Sequence, residues 1–378
     1  RRPLATRLLV SVTIVPTGST PMTATFGALS EQELSQFGRR PLLENFRLYR
    51  RHSSPATQLD WVRVEQGDEL VGIAPLVRLG KRPATDMLNH QVRRWLGPIV
   101  GPLAKKTTLL VDTAFLAYDD RSPFEAVEGV DLVALKQAVS GLLKSERGVD
   151  SVWISEPAEE AAWAASEGYY QFQTLPMAHV STGEFETPEQ WVRSLSKKRR
   201  RNRRQEQSAF EAVEGQIALH EGPLTGPLLD DLLQCLARSA SHSRFTVPYN
   251  DVLTDPRAFA EQKQFALVAR VRDRVVGFMS FLVDGRRMMQ CHGGLDYELS
   301  LQVFAYHNLI YRAVDHAIAE RYELVSMGPL NNETKRRAAT AFQPMVASLW
   351  SRNPVDRLAT KAFFAKNFEV YRGAVGET

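Results

Sequence analysis

The chain has 378 residues, long for one domain and comfortable for two, and its 44% hydrophobic and 24% charged composition is that of an ordinary globular protein. No window approaches 18 uninterrupted apolar residues, so no helical membrane span is predicted, and two cysteines without CxxC or Cys/His spacing argue against a disulfide framework or a metal site and for a reduced, cytoplasmic setting. Seven of the eight positions from 197 to 204 are Lys or Arg, so the net charge of +4 leaves the rest of the chain slightly acidic: the basicity is one local feature.

Residues 1–21 hold no acidic residue, start Arg1-Arg2 and carry a short apolar run interrupted by Ser11 and Thr13. They read as a leader or a disordered extension. From Ser30 to Arg51 the spacing predicts one or two helices, and Trp61–Val64, the Gly67-Asp68 turn and Leu70–Val77 read as a hairpin. The Gly, Pro and Arg content of 81–106 predicts loops around Trp95, followed by a strand near Leu109–Phe115. A helix over 131–146, a strand over 149–154, a helix over 156–167 and a strand over 170–180 complete a first α/β unit, placed at 22–183.

The second unit, 184–378, opens with a helix over 188–213. Trp191 and Leu195 share a face with Ala209, Phe210 and Val213 at a 3.6-residue period, so the helix is anchored by apolar residues at both ends and presents its central Lys and Arg to a polyanion. A solvated charge-rich helix is the plainer alternative. A strand at 216–221, a helix at 224–241 and a second hairpin, Phe265–Val271 and Val275–Val283, follow. Asp68-Glu-Leu-Val-Gly72 aligns with Asp273-Arg-Val-Val-Gly277 at an offset of 205 residues, with matching neighbours, which predicts two copies of one α/β unit around a shared cleft. Beyond them lie a strand at 287–295, a helix over 299–320 and a strand at 323–327. The stretch Gly328–Lys335, a strand at 344–350 and a helix over 357–368 complete the unit.

That strand, helix, strand order with a mixed sheet resembles the core of a GNAT-type acyltransferase. Two such units, the basic run Lys197-x-Arg-Arg-Arg-x-Arg-Arg204, the helix Phe304–Val314 and the glycine-then-lysine stretch Gly328–Lys335 together resemble the Fem-type transferases over roughly residues 26–375. The resemblance implies tandem GNAT-like units with mixed sheets. It also implies use of aminoacyl-tRNA to add an amino acid to the amine of a cell-wall precursor, or amide formation in antibiotic assembly. The short span between the basic helix and Leu224 leaves no room for the long helical arm many such proteins carry.

Acyl transfer from an ester to an amine needs a neutral nitrogen, a donor for the developing oxyanion and a path for one proton, with no covalent enzyme intermediate and no further cofactor. Lys335, after a glycine-started loop at a strand end, is the oxyanion candidate and matches the lysine at the centre of Fem-type enzymes; the plainer reading is a surface lysine. Lys198, Arg200, Arg201 and Arg204 are candidates for substrate phosphate by their match to the basic helix. Tyr306 is a candidate for orienting the acceptor or a core residue, and His292 and Asp296 are proton-shuttle candidates at a strand end. Aminoacyl-tRNA donor and small-molecule amine acceptor form the leading reading. An acyl-CoA-dependent N-acyltransferase is the alternative, disfavoured because acids occupy the turn at 296–298 where a pyrophosphate would bind. A non-catalytic RNA-binding module is the third.

Overall fold

The structure, a computed structural model, describes residues 11–14, 21–38, 40–54, 56–83, 105–112, 117–242, 255–261, 265–329 and 332–354. Of the loops expected over 81–106, residues 81–83 and 105–106 are instead strand, paired as Arg82↔Lys106 and Pro83↔Lys105, while 84–104, the end of the strand expected near Phe115 and the helix expected at 357–368 lie outside the described residues. In chain order the first elements are β1 (Ser11–Ile14), β2 (Met22–Gly27), α1 (Glu31–Leu34), α2 (Arg40–Arg51), β3 (Thr57–Gln66), β4 (Glu69–Pro83), β5 (Lys105–Val111) and β6 (Glu125–Ala126). Then come α3 (Leu132–Ser145), β7 (Ser151–Pro157), α4 (Trp163–Ser166), β8 (Tyr170–Gln173), β9 (Met177–Ser181), α5 (Pro188–Ser194), α6 (Lys197–Glu211) and β10 (Gly215–Glu221). The chain continues through α7 (Gly226–His242), α8 (Pro256–Glu261), β11 (Phe265–Val271), β12 (Arg274–Asp284), β13 (Arg287–Leu295), α9 (Tyr297–Ser300), α10 (Ala305–Ala319), β14 (Leu324–Ser326), α11 (Asn332–Lys335), β15 (Ala341–Gln343) and β16 (Met345–Ser351).

The two hairpins at the 205-residue offset both form, and the likeness reaches their irregularities. Val64 pairs with Gly72 and the register then shifts before Glu65; Ala269 pairs with Gly277 and the register shifts before Arg270. Gly72 makes room for a helix on the sheet, since a Cβ there would overlap Leu135 of α3, whereas a Cβ at Gly277 would press on Leu295 of β13 at 2.8 Å and meet Leu309 of α10 at an ordinary contact distance of 3.5 Å. Each unit is therefore a hairpin with the same bulge, covered by a corresponding helix.

The first sheet runs β1-β2-β3-β4-β5-β7-β16-β8, with β6 on β4, and the second runs β10-β11-β12-β13-β14-β9-β15. Both are mixed, with β5 parallel to β7 and β13 parallel to β14. The expected strand over 170–180 is in fact two strands in different sheets, because Pro176 breaks the run: β8 edges the first sheet and β9 inserts between β14 and β15 of the second. The reverse crossing occurs at Pro344, where β15 stays in the second sheet and β16 inserts between β7 and β8 of the first. A chain boundary at 183/184 thus does not coincide with sheet membership.

Other expectations change for local reasons. Residues 11–14, set aside with the extension, form the edge strand β1, whose Val12 packs on Gly141 of α3. The helix expected over 156–167 shrinks to a 3-10 turn and α4, because Glu156 stays in β7 with its buried carboxylate on Lys136 Nζ and Trp163 Nε1. The helix over 188–213 breaks at Leu195, and Ser196 starts α6 by accepting the Arg199 N–H at 3.3 Å. The helix over 299–320 is divided by Phe304, whose φ of 56° is left-handed.

Each unit has its own core, around α3 in the first and α10 in the second. A third core joins them: Phe46, Tyr49 and Trp61 of the first unit pack with Leu282, Met289 and Cys291 of the second. On β13 the seam face, carrying Met289 and Cys291, is opposite the face whose Met288 packs with α10.

Candidate functional site

The parallel strands β13 and β14 pair only from Arg287↔Leu324 to Met289↔Ser326 and then part. Parting strands leave backbone groups that need partners. The first unit supplies one: Tyr118 N–H donates to the Gln290 carbonyl at 2.8 Å. Lys335, at the end of α11, supplies the other, donating from Nζ to the carbonyls of Met327 and Gly328, the latter at 3.1 Å. Its side chain is 2% exposed, so it is not a surface lysine. Burial without a counter-charge pulls the amine down from 10.5 to about 7. The Tyr118 ring centroid lies 5.8 Å from Nζ. Gly328 has a φ of 78°, and any Cβ there would overlap the Tyr118 ring.

Beside this point the seam is ionic. Arg121 forks onto Asp119 at 2.9 and 3.1 Å and reaches Asp284 at the end of β12 at 2.7 Å. Arg287 pairs with Asp120, and His179 of β9 lies 3.4 Å from the same carboxylate. Burial lowers the His179 pKa while Asp120 opposes that shift. Ser326, across the ladder from His179, is fully buried, and its hydroxyl has no hydrogen-bond partner among the described residues. Sequence reasoning passed over Tyr118, His179, Asp120, Arg287 and Ser326. The one local signal was the compact Asp119-Asp120-Arg121 run, whose partners lie more than 160 residues away.

The basic helix divides its charges by face. Arg203 is buried, pairs with Asp315 at 2.7 Å and lies over the rings of Trp191 and Tyr311 at 4.8 and 5.2 Å. Glu206, also buried, accepts from the Tyr311 hydroxyl at 2.6 Å and pairs with Arg337. Arg200 is turned back, donating to the Arg193 and Leu195 carbonyls at 2.9 and 2.5 Å, where it closes the carboxyl end of α5. Lys197, Lys198, Arg201 and Arg204 are exposed and have no ion-pair partner among the described residues. Lys197, Arg201 and Arg204 are spaced by four and three, which aligns them along one side of the helix for about 10 Å. The helix is also tied to Lys335's segment, through Glu206–Arg337 and through Arg199 Nη1, 3.4 Å from the Ala339 carbonyl.

The other candidates lie apart from Lys335. His292 is buried on the seam side, 3.2 Å from the Tyr49 hydroxyl and edge-on to Phe259 at 4.9 Å, and desolvation lowers its pKa to about 4. Asp296 is fully buried, caps α9 through the Glu298 N–H at 3.2 Å and pairs with Arg238 at 2.8 Å and with Arg274. Those two arginines offset the acidic turn, which weakens the electrostatic objection to a pyrophosphate there. Tyr306 packs against the second unit's own core, on the face away from the seam. No hydrogen bond or ion pair joins Lys335, His292 and Asp296 to one another. Among the described residues, no cluster of His, Cys, Asp or Glu is arranged to hold a metal ion, and no helix is long and apolar enough to cross a membrane.

Comparison with known proteins agrees with this architecture. Residues 193–336 match the acetyltransferase (GNAT) domain family. No curated protein matches the chain in sequence. Among solved structures, FemX superposes with a TM-score of 0.52 at 9% identity, over 88% of this chain and 99% of that one. A conserved protein of unknown function from Bacteroides thetaiotaomicron gives 0.52 at 9% identity, over 86% of this chain and 99% of the other. L-PGS from Bacillus licheniformis gives 0.48 at 13% identity, over 78% and 86%. With two mixed sheets and, among the described residues, no long helical arm, the chain has a tandem GNAT-type fold like that of FemX.

Proposed function

We propose that this protein is an amide-forming acyltransferase that takes an amino acid from aminoacyl-tRNA and passes it to the amine of a small molecule, a cell-wall precursor or a natural-product intermediate. One observation carries the reading: a buried lysine at the parting of β13 and β14 is tied, through Arg337 and Ala339, to the helix that presents an unpaired stripe of cations. The stripe suits the phosphates of a single-stranded acceptor end, and the lysine suits the ester carbonyl.

In this mechanism the neutral acceptor amine attacks the ester carbonyl, whose π electrons move onto oxygen. Protonated Lys335 spends two N–H groups on Met327 and Gly328 and has a third for that oxyanion. Collapse expels the ribose oxygen, which takes up the proton released by the new amide nitrogen. A dry site makes the lysine's charge worth more to the oxyanion and easier to lose. The rate therefore falls as pH rises through about 7.

The test is transfer from charged tRNA bearing radiolabelled amino acids, with and without ribonuclease, beside a parallel assay with labelled acetyl-CoA. Ribonuclease-sensitive amide formation, abolished by Lys335→Met, is expected. Four exposed cations predict a log-log salt slope for tRNA binding of about −3, from roughly −0.7 per contact on a single strand. Transfer from the thioester alone would move the protein to an acyl-CoA-dependent N-acyltransferase. Two features favour that second reading: the match to the acetyltransferase domain family, and the start of α10 after Phe304, which no side chain caps.

A further inference from the structure

We propose that Tyr118, a residue of the first unit, is a positioning residue for Lys335 of the second, shielding its amine from water across the seam. The inference rests on the reading of Lys335 as the centre of transfer only for its effect on rate; the shielding is a property of the protein alone.

The geometry has three parts. The Tyr118 backbone is fixed at the parting of β13 and β14 by its 2.8 Å hydrogen bond to Gln290. The segment behind it is pinned to the second sheet by two ionic contacts, Arg121 on Asp284 and Arg287 on Asp120. Its ring lies on Gly328, the residue whose carbonyl binds Nζ at 3.1 Å, so closely that only glycine fits beneath it. Lys335 therefore has carbonyls of its own unit on one side and a ring of the other unit on another.

The ring acts on the amine in two opposite ways. Its face attracts an ammonium, but at 5.8 Å from the centroid that attraction is near the limit of its range. It also takes the place of water, which solvates an ammonium far better than an amine. The loss of water dominates, in keeping with the downward shift of Lys335, which burial produces. No carboxylate is ion-paired with Nζ among the described residues, so the neighbours that set its titration are the Met327 and Gly328 carbonyls and Tyr118. On this view the second unit carries the lysine and the first unit sets its proton affinity.

The experiment follows the 13Cε resonance of Lys335 through a pH titration of the full chain labelled with [13Cε]lysine, assigned by its loss in Lys335→Met, with no substrate present. The wild-type midpoint is expected near 7. Tyr118→Phe keeps the ring and should keep the midpoint, whereas Tyr118→Ala admits water and should raise it by more than about one unit. An unmoved midpoint in Tyr118→Ala overturns the proposal. Should that variant not fold, Arg121→Gln loosens the segment outside the lysine's surroundings: a raised midpoint supports the proposal and an unmoved one overturns it. The alkaline limb of the transfer rate should move with the midpoint. Because the titration needs no donor or acceptor, a failed transfer assay and a failed shielding inference give different results.

Discussion

His292 shows how a candidate shuttle can be held as a structural group. Its ring touches Tyr49 and Phe259 and is buried, so its folded pKa of about 4 lies below the ordinary 6.5. Between pH 6.5 and 4 the unfolded chain takes up a proton that the folded protein refuses, and stability is lost across that window by about 3 kcal/mol. Chemical denaturation of His292→Gln should give a flatter stability curve between those pH values than wild type. Equal slopes would mean that other groups set the acid response. In the sequence, His292 and Lys335 both read as polar residues after strands, and only packing across the seam shows that both are buried. The opposite error arises at Tyr118, whose ring matters because of Gly328, 210 residues away.

At the scale of one element, α6 carries two kinds of arginine that composition cannot distinguish. Arg203 is buried and paired with the part-buried Asp315, and its removal leaves that carboxylate without its ion-pair partner, a loss of about 3 kcal/mol at the low end for buried pairs. Arg201 and Arg204 touch nothing charged among the described residues. Arg203→Met should therefore lower the denaturation midpoint strongly, while Arg201→Glu with Arg204→Glu should leave stability within about 0.5 kcal/mol and weaken tRNA binding with a shallower salt slope. Binding unchanged in the double variant would remove the stripe from the interface. The apolar ends of this segment were legible, since Trp191 and Phe210 are buried. Arg203 was not legible as an inward residue, because a guanidinium enters a core only when a carboxylate and two aromatic faces happen to receive it. The break at Ser196 is a capping feature visible only once the hydroxyl is seen on the Arg199 amide.

At the scale of the whole molecule, the repeat in the sequence foretold two units, and the structure adds corresponding bulges, but the exchange of β9 and β16 was not foretold. Strand pairing between positions 143 to 200 residues apart leaves no local periodicity, and the two prolines that mark the crossings read as ordinary loop residues. The exchange predicts that residues 1–183 and 184–378, expressed separately, do not fold, since each sheet then lacks an inner strand. Coexpressed, the two pieces should copurify and recover the helical and strand content of the intact chain by circular dichroism. Either piece unfolding cooperatively by itself would contradict this. The exchange also bears on how such a molecule can change over generations. A duplicated unit joined end to end can lose one copy and survive, but here each copy holds a strand the other requires, so deletion of either removes both. With those strands exchanged, loss of either unit strips an inner strand from the other, so the two are obliged to stay together whatever each comes to bind.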